Sequence, residues 1–103
     1  MTGTRGPLVA LNLALIEARN DRPVDTAALR AELIHYEDQA LAQIAATSDR
    51  TARWALRVDL GLARAGQQVA DLLDAGDRHA AITTATAAMG TAVRHRHHTQ
   101  ESP

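Results

Sequence analysis

A chain of 103 residues with a formal net charge of −1 can form one domain with a single modest core. This balance gives no overall attraction to nucleic acid or to an anionic membrane, and the lack of cysteine excludes a disulfide framework and fits a reducing cytoplasm. All 11 strongly basic residues are arginine and 22 residues are alanine, two types that favour helices. We expect a cytoplasmic helical protein whose small core gains stability from self-association.

The first element in the chain is a strongly apolar run that predicts a helix over residues 7–19. Pro7 suits the first position of a helix, and Pro23 prevents its continuation. The run is shorter than the roughly 20 apolar residues that span a bilayer. It also differs from a signal peptide, because Arg5 is the sole charge ahead of it and no suitable cleavage site follows. We expect a buried first helix and no contact with a membrane.

Three longer helices are predicted over residues 26–47, 50–75 and 78–94. Their candidate N-caps are Asp25 or Thr26, Ser48 or Asp49, and Asp77. Because no segment alternates apolar and polar residues with period two, we expect no strand. Short connections make successive helices antiparallel. The predicted fold is all-α, an up-down antiparallel bundle of about four helices forming one domain over residues 1–94, followed by a disordered, flexible His-rich tail over 95–103.

The apolar residues of the longer helices repeat at helical spacing, and this repeat predicts which faces are buried. The third helix has the clearest inward row, consisting of Ala55, Val58, Leu62, Ala65, Val69 and Leu72. The corresponding row of the second helix is Leu29, Leu33, Tyr36, Ala40 and Ile44, and that of the fourth is Ile82, Ala85, Met89 and Ala92. Gly61 and Gly66 within the third helix are expected to permit close helix contact, at some cost in helix propensity.

One segment has the pattern of a helical hairpin. It runs from Leu72 through Gly76-Asp77 and continues with Ala81-Ile82 and Ala88-Met89. This segment resembles the middle of a tetratricopeptide repeat, in which a Gly-Asp turn joins two helices and an Ala-Ile pair packs on the first. The resemblance covers under a third of the chain, and Gln67-Gln68 stands where that family usually has Leu-Gly. It therefore implies a shared αα-hairpin and not membership of the family.

Four arginines of the third helix fall on one side, within about 60° of arc. We call Arg50, Arg53, Arg57 and Arg64 the arginine ridge. The ridge can bind phosphates or an acidic partner, or it can pair internally with the acidic second helix. In a hairpin turning near residue 48, Glu32 is level with Arg64, and Glu37 is one turn from Arg57. We favour internal pairing, because a face that binds nucleic acid normally accompanies a basic total charge.

Leu56, Leu60 and Ala63 form a second apolar strip on the third helix. Either this strip is a homodimer or partner interface, or the first or fourth helix covers it, and both alternatives stay open. Trp and Arg most often dominate interface energy, so the residues predicted to carry an interaction are Arg53, Trp54, Leu56, Arg57, Leu60 and Arg64. The predicted function is a small protein–protein interaction module that binds itself as a homodimer or another protein. The alternative is a nucleic-acid-binding regulator that uses the arginine ridge, although a helix-turn-helix unit pairs shorter helices.

The residues that could support chemistry are few. Cysteine is absent, and the two serines are a candidate cap and a residue near the C-terminus, so nucleophilic catalysis lacks a residue. His35 and Asp38 share one helix side and could exchange protons only if they lined a cleft. His79, His95, His97 and His98 could chelate a metal, but no acid or cysteine lies at ligand spacing nearby. We expect no enzymatic activity, no cofactor and no native metal site.

Overall fold

The computed structural model describes residues 6–101 and, of these, the side chains up to Arg94. Four helices follow one another, α1 (Pro7–Arg19), α2 (Thr26–Ala46), α3 (Arg50–Asp74) and α4 (Arg78–Glu101), and the described residues contain no strand. The predicted all-α bundle of four helices is confirmed. α4 ends later than the predicted residue 94, since the sequence has no Gly or Pro between Arg94 and Glu101 to end the helix. The tail predicted over 95–103 lies outside the residues whose side chains are described.

Aspartate side chains begin three of the helices. Asp25, Asp49 and Asp77 each accept a hydrogen bond from the backbone N–H three residues later, at 3.0, 2.8 and 3.1 Å. An aspartate in this position satisfies a backbone donor that the helix leaves unpaired, and its charge opposes the positive end of the helix dipole. Asp25 and Asp49 are thus the N-caps of α2 and α3, where the sequence also offered Thr26 and Ser48.

Two helices end in a left-handed residue that reverses the chain. After α3, Gly76 has φ of 82°, and the N–H groups of Gly76 and Asp77 return to the carbonyls of Leu73 and Leu72 at 3.1 and 2.9 Å. This is the Schellman arrangement, in which glycine is favoured because it has no Cβ. After α1 the same position holds Asp21, with φ of 58°. The Asp21 carboxylate pairs with Arg78 at the start of α4, so this turn also joins α1 to α4.

The four helices alternate in direction, and α1 and α3 lie at the centre. α1 contacts each of the other helices, as does α3, whereas α2 and α4 make no contact with each other in the described part. At the start of α1, Pro7 lies beside Tyr36 of α2 and Leu56 of α3. At its end, Arg19 donates a hydrogen bond of 3.4 Å to Thr86 of α4. α1 is therefore antiparallel to α2 and α4 and packs along α3.

The core consists of two apolar clusters on adjacent sides of α1. The first contains Leu11, Leu15, Leu62, Val69, Ala81, Ala85 and Ala92. The second contains Ala10, Ala14, Leu29, Leu33 and Ala70. Nine of the fifteen buried apolar residues are alanines, so burial stabilises this core less per residue than a core of leucine would. No described polar or charged residue is buried.

The predicted inward rows of α2, α3 and α4 agree with the structure except at Ala55. In the row of α3, Leu62 and Val69 are buried and Val58, Ala65 and Leu72 are half-buried, but Ala55 is exposed. The prediction is wrong at Ala55 because α1 begins only at the level of Leu56 and leaves the start of α3 uncovered. The expectation of a buried first helix is also wrong for its outer side, since no other described helix packs there.

Candidate interaction surfaces

A groove of about 490 Å³ lies between the N-terminal half of α3 and the middle of α4. α3 contributes Trp54, Arg57, Val58, Gly61 and Leu62, and α4 contributes Ala87, Ala88, Thr91 and Ala92. Most of these side chains are small and apolar. The space stays open because Gly61 and the alanines are too short to fill it, and a Cβ built on Gly61 meets no atom within 4 Å. The volume lies in the range of small-molecule sites.

The rim of this groove is basic and aromatic. Trp54 is 43% exposed, and Arg57 is exposed and forms no ion pair with any described acid. On the opposite wall, the Thr91 hydroxyl accepts a hydrogen bond of 3.2 Å from Arg94, which does not itself line the groove. None of the acids with described side chains lines the groove. The groove therefore combines an apolar interior with a positive edge.

Ion pairs hold α2 and α3 in register at their outer edge. Glu37 accepts hydrogen bonds from Gln67 at 2.7 Å and from Arg64 at 3.1 Å, and these bonds lower the pKa of Glu37. Nearer the N-terminus of α2, Arg30 pairs with Asp71 and Asp74 at 2.7 and 2.8 Å.

The pairing of Arg64 differs from the predicted register, in which Glu32 was level with it. Glu32 instead accepts a hydrogen bond of 2.7 Å from the Tyr36 hydroxyl. Side chains on a helix lean toward its N-terminus. In antiparallel helices Glu37 thus leans away from the turn and Arg64 leans back toward it, so two residues whose Cα atoms are offset along the hairpin can meet.

Internal pairing accounts for only one member of the arginine ridge. Among the residues with described side chains, Arg50, Arg53 and Arg57 pair with no acid. Arg50 and Arg57 are exposed, whereas Arg53 is half-buried and its Nε is a buried donor without a hydrogen bond. Internal pairing is therefore confirmed for Arg64 and not found for the other three.

The outer side of α1 presents an apolar row to solvent. Val9, Leu13 and Ile16 are 46%, 42% and 44% exposed, and their spacing of four and three residues places them within about 60° on the helix. They lie opposite Ala14 and Ala18, which are buried. Large apolar side chains that share one side of a helix normally pack against a neighbour. Sequence reasoning missed this row because it treated the apolar run as buried, although the spacing of its large residues opposite alanines could have revealed it.

The six residues predicted to carry an interaction do not share one surface. Trp54 and Arg57 line the α3–α4 groove, whereas Arg64 points to α2 through Glu37. Leu56 lies in a separate cleft of about 170 Å³ beside Pro7 and Tyr36. The remaining two, Arg53 and Leu60, are half-buried.

The second apolar strip of α3 is largely covered within the chain. Ala63 is fully buried, and Leu56 and Leu60 are half-buried. The cleft beside Leu56 is walled by the start of α1 and by Tyr36 and Ala40 of α2, so α1 and α2 are the neighbours that approach this strip.

The candidate chemical groups lie apart. His35 and Asp38 are exposed and line neither groove nor cleft, and the His35 ring leans on Tyr36 with 5.9 Å between ring centres. Among the described residues no three His, Asp or Glu side chains converge as metal ligands, while His95, His97 and His98 fall outside the described side chains. None of the described helices has the length and apolar character needed to cross a bilayer.

Comparison with protein-family models, with curated proteins and with solved structures found no match to this chain. The resemblance to a tetratricopeptide repeat thus extends only to the hairpin of α3 and α4, where Ala81 is buried and Ile82 packs beside it against the core.

Proposed function

We propose that this protein is a small, non-enzymatic interaction module that self-associates through the outer face of α1. The observation that carries the proposal is the exposed row of Val9, Leu13 and Ile16 on the side of α1 opposite its buried alanines. The row itself contains no charged residue, and it is flanked by Asn12 on one side and by the half-buried Glu17, one turn after Leu13, on the other. Two copies can place their rows together across a twofold axis with Asn12 and Glu17 at the edges of the contact, which is the geometry of most homodimers.

The free energy available from this row indicates a weak dimer. Complete burial of such a side chain contributes about 1.5–3 kcal/mol, and each is somewhat under half exposed. Covering the three side chains on both copies thus gives roughly 4–8 kcal/mol, against an association cost of at least about 4 kcal/mol. We expect a concentration-dependent equilibrium with dissociation constants of about 1 mM or weaker from this contact alone.

Sedimentation equilibrium between about 10 and 500 µM tests the proposal. The weight-average mass of the wild-type chain should rise with concentration, and Leu13→Glu should abolish the rise because it puts a charge into the contact. Leu41→Glu is the matched control, since Leu41 on α2 is 43% exposed and Leu13 is 42% exposed. A strictly monomeric wild-type chain contradicts the proposal, as does equal loss of association in the two variants.

A second candidate function, a nucleic-acid-binding regulator, is favoured by the unpaired side of the arginine ridge. If the three unpaired arginines each neutralise one DNA phosphate, a plot of log K against log salt concentration should have a slope of about −2.7 at most. These arginines are Arg50, Arg53 and Arg57. Arg50→Gln with Arg57→Gln should remove most of that slope, whereas Arg64→Gln should not, because Arg64 already binds Glu37. This candidate ranks second because the chain carries a net charge of −1.

A further inference from the structure

We infer that the α3–α4 groove binds a small amphipathic anion, with an apolar body in the groove and a carboxylate at its arginine rim. The site shares no residue with the outer face of α1, so the inference is independent of self-association. The chemical class follows from the groove's shape, its lining and its charge.

The shape of the groove favours an elongated ligand of modest size. Its α3 wall runs from Trp54 to Leu62, which at 1.5 Å per residue is a length of about 12 Å. That length and the volume of about 490 Å³ suit an acyl chain of medium length.

The lining of the groove suits an aliphatic body. Val58 and Leu62 on α3 and Ala88 and Ala92 on α4 present methyl groups, and Trp54 adds an aromatic surface. The only neutral polar side chain in the lining is that of Thr91, and its hydroxyl oxygen already accepts a hydrogen bond from Arg94. Polar groups along the body of a ligand would therefore lose hydrogen bonds to water with little replacement.

The charge of the rim selects the head group. The Arg57 guanidinium lines the groove, is exposed and pairs with no described acid, and Arg94, which lies outside the lining, donates a hydrogen bond to Thr91 of the facing wall. A guanidinium binds a carboxylate through two parallel N–H donors. Because no acidic side chain among those described lines the groove, an anion meets no repulsion from them, and a cationic head finds no partner among them.

Titration of the full chain with decanoate, followed by tryptophan fluorescence, tests this inference. Trp54 is the only tryptophan in the chain, so the signal reports on the groove directly. We expect saturable binding at about 10–100 µM, the affinity range for a ligand of this size. The uncharged 1-decanol should bind about tenfold more weakly than decanoate, because it lacks the charge-assisted bonds.

Three variants separate the parts of the site. Gly61→Leu fills the groove at a position where a Cβ meets nothing within 4 Å, so the chain should fold and lose binding. Arg57→Gln should weaken decanoate about tenfold and leave decanol unchanged. Arg64→Gln removes an arginine of the same helix that binds Glu37, and it should bind decanoate like the wild type.

Several results would overturn the inference. These are the absence of saturable binding, unchanged binding by a folded Gly61→Leu variant, and equal affinity for decanol and decanoate. A fluorescence change with phosphatidylglycerol vesicles but not with monomeric decanoate would also overturn it, because the rim would then be a contact for a lipid surface.

Discussion

Gly66→Ala tests how closely α2 and α3 approach each other. Gly66 is buried in α3, and a Cβ on it would come well under 3.0 Å from Cδ1 of Leu33 and to 3.0 and 3.3 Å from its Cδ2 and Cγ. Leu33 is itself fully buried, so its methyl groups cannot move aside freely. Overpacking of this kind costs about 1–3 kcal/mol, while replacing a helical glycine by alanine gains about 0.8–1 kcal/mol. We expect a net loss of up to about 2 kcal/mol.

Gly61→Ala is the matched control because it lies in the same helix and meets no atom within 4 Å. It gains the same helix propensity without the clash, so the difference between the two variants isolates the steric cost of about 1–3 kcal/mol. In a domain of this size, that difference corresponds to about 4–8 °C in melting temperature for each kcal/mol. Thermal and urea unfolding followed by circular dichroism measures it.

A double variant identifies Leu33 as the source of the cost. Leu33→Ala alone should cost about 2–5 kcal/mol because it leaves a cavity, but Gly66→Ala added to it should then stabilise the chain by the propensity gain. The reasoning is refuted if Gly66→Ala stabilises the otherwise unchanged chain as much as Gly61→Ala does, because the helices would then not be in close contact at this point.

Three further predictions concern the ends and edges of the helices. Asp49→Ala should cost about 0.5–2 kcal/mol in urea unfolding through loss of the α3 cap, whereas Ser48→Ala, outside the cap bond, should cost almost nothing. Asp21→Gly should be more stable than Asp21→Ala by about 1 kcal/mol. Both variants lose the ion pair with Arg78, but only glycine tolerates positive φ without strain. Equal urea unfolding midpoints for the two variants would exclude a left-handed residue at this turn. Acid should destabilise the hairpin of α2 and α3. Hydrogen bonds lower the pKa of Glu37, with Gln67 the larger cause and Arg64 the smaller. Hydrogen bonds also lower the pKa of Asp74, with Thr26 the larger cause and Arg30 the smaller. In the folded chain the pKa values of Glu37 and Asp74 lie below their ordinary values of 4.5 and 3.8, so their bonds stabilise the fold fully above those ordinary values. This stabilisation is lost as the pH falls through the lower pKa values of the folded chain. Urea midpoints should decline in that window, and less so in Glu37→Gln.

Local signals in the sequence predicted most of the fold. Prolines, glycines and aspartates define helix ends through bonds that span only a few residues, so α1, α2 and α3 begin and end within one residue of the predicted positions. Apolar spacing likewise predicted which sides of α2 and α4 pack inward, including Leu33 and Ala85. The register between α2 and α3 was harder to predict from the sequence. The pairing of Arg64 with Glu37 depends on the direction in which these long side chains extend between the two helices.

The spacing of apolar residues could not predict three features: the exposure of Ala55, the open groove and the exposed row on α1. All three have the same cause. Periodicity gives the direction in which a side chain points, while burial also requires a neighbour at that height. α1 has 13 residues and α3 has 25, which at 1.5 Å per residue leaves α3 about 18 Å longer. Because α1 begins at the level of Leu56, about half of that excess falls at the N-terminal end of α3, where Ala55 is exposed and Trp54 borders the groove. Helix lengths, compared with one another, thus indicate where a small bundle has surface to offer a ligand.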